Sequence, residues 1–381
     1  MTYTFFYNKI EEMRWLVTGG GKPTRVKGIS YSLEEMPFLY TKIPLYISRP
    51  TFIPDKPFKS YKQQIGILQS RGLFIDDASF AKHMLRTYSY YDLINGNLDE
   101  LMVSRHPDRF VKNTSLADLV QIRFMEDRIK AIFLKQILMI EKTFKSTLSY
   151  YISEQFGVDS NPGGYLTKKN YSGDRTDVVK KTMKTLRDVR DGNVHKPQGE
   201  PIRHYRKDHN HIPPWILIDE LTFGETVYWY KCLDNQGKLE VSSEMLHLPQ
   251  EMSSTHMLEL FQIVIDLIRE FRNFFAHNSV LSHMKSKRKL KIKLIGDVNS
   301  SDSLVSGITD NLNNSRNLLA CFLSILLLSK DPDQLKLFLL DFQQTEEILD
   351  SERTKFIIED IFQLPLEMVE RGLNFVNDIK D

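Results

Sequence analysis

Cysteine is scarce in this sequence. Cys232 and Cys321 are the only two in 381 residues. They stand far apart and form no C-x-x-C pair, which fits a reducing compartment and argues against a cysteine zinc site or a disulfide framework. Long apolar runs are missing too. The longest, LLACFLSILLL from Leu318 to Leu328, falls short of the roughly 20 residues that span a bilayer and is expected to be a buried helix. The opening MTYTFFYNKIEEMRW lacks a basic stretch followed by an apolar one, so no secretory signal is expected. Nor does charge of one sign dominate: the formal net charge is +2. That balance neither demands nor forbids a nucleic-acid partner, and it shifts the question to where the basic residues lie. A soluble, cytoplasmic protein with no membrane partner is the expectation.

Residues 1–55 differ from the rest. The Gly-rich TGGGKPT at Thr18 to Thr24 suggests a phosphate loop and fails its pattern, because Leu16 stands where the first glycine belongs and Pro23 where a magnesium-holding Ser or Thr belongs. Pro37, Pro44, Pro50, Pro54 and Pro57 punctuate the residues beyond it. This stretch reads as an N-terminal arm. From Lys56 helical signals take over. Ser60 to Gln63 is a capping box, with Gly72 as a stop. Asp76 or Asp77 caps a helix that turns Phe80, Met84 and Leu85 inward. Ser115 opens a long periodic stretch that runs until shortly before Gly157, with Leu119, Ile122, Met125, Ile129, Ile132 and Phe133 at helical spacing. Residues 159–174 read as a loop and 175–190 as a basic helix ended by Gly192 and Pro197. Pro213 and Pro214 start another helix, with Gly224 near its end. Ser253, Ser254 or Thr255 caps the helix that runs through FQIVIDLIREFRNFFAH.

With no repeat and no convincing run of strands, the fold class is all-α, with at most a short β-hairpin near Val241 or around 286–295. Three regions are expected: the arm 1–55, a helical core 56–300, and C-terminal helices 301–381 packed on that core.

The helix ending at His277 has two faces. Val264, Leu267, Ile268, Phe271, Phe274 and Phe275 form an apolar stripe. Asp266, Glu270, Asn273 and His277 form a polar one, so Asn273 and His277 stand one turn apart. Arg272 lies about 140° round the helix from His277. These residue types suit cleavage of RNA, whose 2′-hydroxyl supplies the nucleophile. A histidine exchanges protons near neutral pH. An arginine fork matches phosphate oxygens and stabilises the charged phosphorane. Asn273 can orient either group or donate to the phosphate. Such chemistry calls for neither a metal nor a cofactor. A structural alternative pairs Arg272 with Asp266 or Glu270 and leaves His277 as a polar C-terminal residue favourable to the helix dipole. Two further Arg–x4–His matches, Arg190 to His195 and Arg206 to His211, are interrupted by Gly192 or run into Pro213, so neither sits within a stable helix.

Three segments carry a resemblance to a known family. They are KPFKSYKQQIGILQSRGLFIDD continuing to YSYYDLINGN (Lys56 to Asn97), HYRKDHNHIPPWILIDELTFGETVYWYKCL (His204 to Leu233) and IREFRNFFAHNSVL (Ile268 to Leu281). In order and spacing they resemble the AbiD/AbiF branch of the abortive-infection (Abi) family, whose members are implicated in stopping growth of phage-infected bacteria. The RN–x3–H motif resembles that of HEPN ribonucleases. The resemblance implies a HEPN-like helical bundle with helical and loop insertions. It implies a ribonuclease toxin in which Arg272, Asn273 and His277 are catalytic, a homodimer in which two motifs form one composite site, and restraint by an antitoxin, RNA or protein. Glu270 is a candidate to orient His277 across the dimer or to pair with a lysine. The alternative is a non-catalytic RNA- or protein-binding module in which the motif is structural; a weaker one is a sensor of a phage component acting through the arm.

Two basic runs fit an RNA partner: Lys285, Lys287, Arg288, Lys289, Lys291 and Lys293 just beyond the motif, and Lys180, Lys181, Lys184, Arg187 and Arg190. They read equally well as solvated faces. His204, Asp208, His209 and His211 match no metal spacing and read as a hydrogen-bonded loop. Tyr88, Tyr90 and Tyr91 can stack on bases and read more simply as packing between helices.

Overall fold

In a computed structural model of the chain, residues 54–95, 99–105, 107–171, 176–195, 197–247, 252–277, 280–291, 293–296, 302–305 and 315–380 are described. The chain divides into two units, Met1–Phe58 and Lys59–Asp381. Most of the arm, including TGGGKPT, Pro37, Pro44 and Pro50, lies outside the described residues.

The second unit is built mainly of helices. Helix α1 (Tyr61–Ser70) starts at the Ser60 capping box, both halves of which are made, and ends before Gly72, which takes a left-handed φ of +89°. Asp77 caps α2 (Ala78–Asn95) by accepting from the Ser79 and Phe80 amides. Helix α2 breaks at Ser89, φ 62°, and restarts there because the Ser89 hydroxyl accepts from the Asp92 amide. Beyond it comes a short hairpin, β1 (Met102–Arg105) antiparallel to β2 (Asp108–Phe110).

This hairpin is not where the sequence placed one. Val241 is helical, and of the described residues within 286–295 only Leu290 makes a bridge, to Ser315. Strand β2 has only three residues, too few for alternation to register.

Helix α3 (Leu116–Phe156) runs 41 residues without a break from the Ser115 capping box to Gly157, about 60 Å. Eight longer helices follow among the described residues: α4 (Thr176–Asp191), α5 (Glu200–Asp208), α6 (Phe223–Lys231), α7 (Asn235–Met245), α8 (Ser254–Ala276), α9 (Leu318–Leu328), α10 (Pro332–Glu346) and α11 (Glu367–Lys380). Helices α6 to α10 pack against α3, whereas α4 and α5 pack on each other and on the turn at Pro214–Leu217, and α11 packs on α10. Pro213 and Pro214 open only a four-residue turn, Pro214–Leu217. A new capping box at Thr222 then starts α6. Gly224 therefore lies in the first turn of the next helix and does not end the previous one.

Helix α8 lies antiparallel to α3. Phe261 meets Phe144 at 6.0 Å and Phe275 meets Phe133 at 6.0 Å. Phe133 also touches Phe322 of α9 and Phe338 and Phe342 of α10. Every residue of α9 is buried. All six residues of the expected apolar stripe on α8 face this core, five fully and Phe274 in part. Both thiols are buried, and desolvation raises both, Cys232 to about 11. That is the state of inert packing cysteines.

Candidate functional site

The site is built at the C-terminal end of α8. Ser253 caps its start, accepting from the His256 amide. His277 caps its end, its amide donating to the Asn273 carbonyl at 3.0 Å. The apolar stripe fixes the rotation of the helix, and rotation fixes where the polar side chains point.

Asn273 and His277 are exposed, and their side chains have no partner among the described residues. Arg272, one residue from Asn273, is carried round to α3. There its Nε donates to Glu141 Oε2 at 3.3 Å. Glu141 is buried and takes a second cation, Lys145, at 3.6 Å. So Arg272 pairs with neither Asp266 nor Glu270. It is anchored through Nε, a third exposed, with its two terminal nitrogens free among the described residues. Arg272 is thus held through Nε, and the two nitrogens that match a phosphate bond to no described residue.

The other carboxylates of the stripe have different work. Asp266 is 1% exposed. It accepts from Lys231 Nζ at 2.9 and 3.1 Å and from Gln262 at 3.0 Å, and it pairs with Arg269 at 3.5 Å and Arg288 at 3.3 Å. Glu270 accepts from the Ser286 hydroxyl and the Lys287 amide, both at 2.7 Å. Together they fasten the chain beyond the motif against the motif helix. Glu270 is thereby engaged with this loop.

The same chain is held a second time from α3. Glu126, fully buried, accepts from the Leu281 amide at 2.9 Å and is flanked by Arg123 and by Lys130 at 2.6 Å. Sequence reading missed both Glu126 and Glu141. A signal for Glu126 was present: it falls between Ile122 and Ile129 on the apolar stripe of α3, where an isolated charge is too costly to bury without partners.

Of the first basic run, Lys285, Lys287, Arg288, Lys289 and Lys291 are exposed. Arg288 is tied to Asp266 and Lys291 to Glu259. That leaves Lys285, Lys287 and Lys289 beside the motif, their side chains unpaired among the described residues. For Lys293 only the backbone is described, in a single helical turn. In α4, Lys180, Lys181 and Lys184 form one exposed face. Arg187 instead donates to the Leu166 carbonyl, and Arg190 to Asp191 and the Ser160 carbonyl, so those two hold the Gly-Pro loop.

The histidine cluster is partly helical rather than a loop. His204 pairs with Asp208 within α5 at 2.9 Å, and His209 stacks on Tyr205 at 4.5 Å. Among the described residues no group of three or more His, Cys, Asp or Glu could hold a metal. Tyr88 and Tyr90 pack on the core, with Tyr90 accepting from Arg71 at 2.9 Å, whereas Tyr91 is exposed. Among the described residues, no helix is long and apolar enough to cross a membrane.

A family model described as Abi-like protein matches residues 83–283, just over half of the chain, from within α2 through the motif. The chain belongs to that family. Membership supports a role in abortive infection, the sacrifice of an infected bacterium that limits phage spread. No curated protein and no solved structure matches the chain.

Proposed function

We propose that the chain is a metal-independent endoribonuclease of the HEPN type, acting as the toxin of an anti-phage abortive-infection system. The AbiD/AbiF branch is the part of the family it fits by its motifs. The observation that carries the reading is the end of α8. Asn273 and His277 stand exposed one turn apart, beside an arginine anchored through Nε and a loop of unpaired lysines.

The reaction is set by these groups. The RNA 2′-hydroxyl attacks the adjacent phosphorus as a base takes its proton. The P–O5′ bond breaks, and an acid gives the leaving oxygen a proton. The products are a 2′,3′-cyclic phosphate and a 5′-hydroxyl. His277 serves as the acid or the base, Arg272 stabilises the phosphorane, and Asn273 positions the phosphate. Because Arg272 is turned to α3 while His277 stands at the helix end, a homodimer that faces two motifs supplies each reacting phosphate with both groups. Lys285, Lys287 and Lys289 bring the backbone in, aided by the Lys180, Lys181 and Lys184 face. Such an enzyme requires restraint in healthy cells by an antitoxin, RNA or protein.

The test compares induced expression of the natural chain with Arg272→Ala and His277→Ala at matched soluble levels. Growth arrest and RNA fragments are expected from the natural chain alone. Purified protein should leave cyclic phosphate ends without added magnesium; 5′-phosphate ends that require magnesium would refute the mechanism. The Arg272–Glu141 pair favours one competing reading, a non-catalytic binding module in which the motif is structural. Equal arrest by all three chains would favour it.

A further inference from the structure

The described residues hold two tryptophans with opposite surroundings. Trp229 is fully buried, whereas Trp215 is 46% exposed, an unusual position for so large an apolar ring. Its exposure is enforced locally. Pro213 and Pro214 are buried, and Leu217 and Ile218 anchor the same turn in the core, so Trp215 is thrown outward. The turn is also pinned from outside. The Ile212 amide donates to the Ser160 hydroxyl at 2.9 Å, and its carbonyl accepts from the Tyr165 hydroxyl at 2.8 Å. The turn that presents Trp215 is thereby fixed at its start.

It stands where two grooves along α3 meet, of about 620 and 530 Å³, both lined by Trp215, Ser146 and Ser149. One groove reaches Glu141, the carboxylate that anchors Arg272. At its rim is Lys142, exposed and unpaired among the described residues. The other holds Tyr150, 69% exposed. Two exposed aromatic rings, the exposed Ser146 that lines both grooves and the free Lys142 ammonium fit single-stranded nucleic acid, whose bases stack on rings while the backbone runs past a cation. A groove built for duplex RNA would present cations to two phosphate rows and need no stacking ring. Two carboxylates, Asp219 and Glu154, also line the grooves, so the ring faces and not charge alone would hold the ligand. Glu154 is already occupied by the Tyr150 hydroxyl.

We infer that the groove under Trp215 is a nucleobase subsite that holds unpaired RNA leading away from the scissile phosphate, with the nearest base stacked on the Trp215 indole. The inference rests on the ribonuclease reading and adds to it a substrate class, single-stranded or looped RNA.

The experiment measures binding of a fluorescein-labelled single-stranded oligoribonucleotide by anisotropy, using the full chain carrying His277→Ala so that nothing is cleaved. Adding Trp215→Ala should weaken binding about tenfold, the loss of one stacked base. Adding Trp215→Tyr should restore most of it. An oligonucleotide with abasic positions should bind alike to all three chains. Circular dichroism confirms that each chain folds, and the tyrosine variant covers the case in which alanine disturbs the turn. Equal affinity of the alanine and tryptophan chains would overturn the subsite, and so would absence of any binding. Cleavage by the chain with His277 intact is scored separately. Cleavage that is indifferent to Trp215 sinks the subsite and leaves the ribonuclease reading standing. Trp215-dependent binding without cleavage retains the subsite and removes the ribonuclease.

Discussion

The polar stripe of α8 has two halves with opposite fates. Asp266 and Glu270 are tied up within the fold: one is buried under three cations, the other grips Ser286 and Lys287. Asn273 and His277, one and two turns further along the same stripe, are exposed and bond to no described side chain. The helix and its apolar face are shared, so the difference lies in what covers the polar stripe: Lys231 and Arg288 reach Asp266, the loop at Ser286 reaches Glu270, and no described side chain bonds to the last turn's Asn273 and His277. Side chains that stabilise a fold find partners; polar side chains left without them beside a basic loop are available to a ligand.

The comparison is easiest to break at Asp266. Asp266→Ala leaves Lys231, Arg269 and Arg288 around an empty carboxylate position. Removing one partner from a buried ion cluster should cost roughly 3 kcal/mol, the low end of the usual range because the cations reach solvent. Urea denaturation would read this, and a loss under about 1 kcal/mol would mean that Asp266 is not a keystone. Glu270→Ala should cost about 1–2 kcal/mol, the value of its two hydrogen bonds to a charged acceptor. It should also speed hydrogen exchange at the Lys287 amide; unchanged protection there would separate Glu270 from the loop.

Glu346 sharpens the contrast from the tail. One of its carboxylate oxygens is buried without a hydrogen-bond partner, and burial, with help from Glu347 and Glu359, raises its pKa from 4.5 to about 7. The folded chain therefore holds this proton more tightly than the unfolded one. Its contribution is intact below about 4.5 and is lost as pH rises toward about 7. Glu346→Gln should flatten that part of the stability profile, and an unchanged slope would remove Glu346 as its source. The smallest effect is expected at the free end of α8. His277→Ala and Asn273→Ala should each change stability by no more than about 0.5 kcal/mol, while the proposed ribonuclease activity predicts that His277→Ala abolishes cleavage. A loss of about 2 kcal/mol or more at His277 would place it with Asp266 among the structural residues.

Much of the fold was legible because its signals are local. Ser60, Asp77, Ser115 and Ser253 cap the helices that the sequence assigned to them, and the apolar spacing of α8 predicted its buried face. The hairpin at Met102–Phe110 was not legible, because so few residues leave no alternation to read. The Pro214 helix was read too long: a capping box at Thr222 competes with it, and the box won. At the site, the α8 residues could be found from the sequence and their partners could not. Glu141 lies 131 positions from Arg272 and Glu126 lies 155 from Leu281, and nothing in local spacing links residues so distant. Trp215 is a third case: nothing in its local spacing says that the turn opened by Pro213 and Pro214 carries it outward.

The aromatic cluster around Phe133 has a consequence in time. Its members, Phe275, Phe322, Phe338 and Phe342, come from the last third of the chain. At roughly 5–20 residues per second of synthesis, α3 leaves the ribosome roughly 10–40 s before Phe342 is made. Until then α8 has no complete core to fix its rotation, and Arg272 and His277 have no settled orientation. The rotation that orients Arg272 and His277 is thus settled only once the chain has been made as far as Phe342, so a chain abandoned before that point carries both residues without the frame that places them.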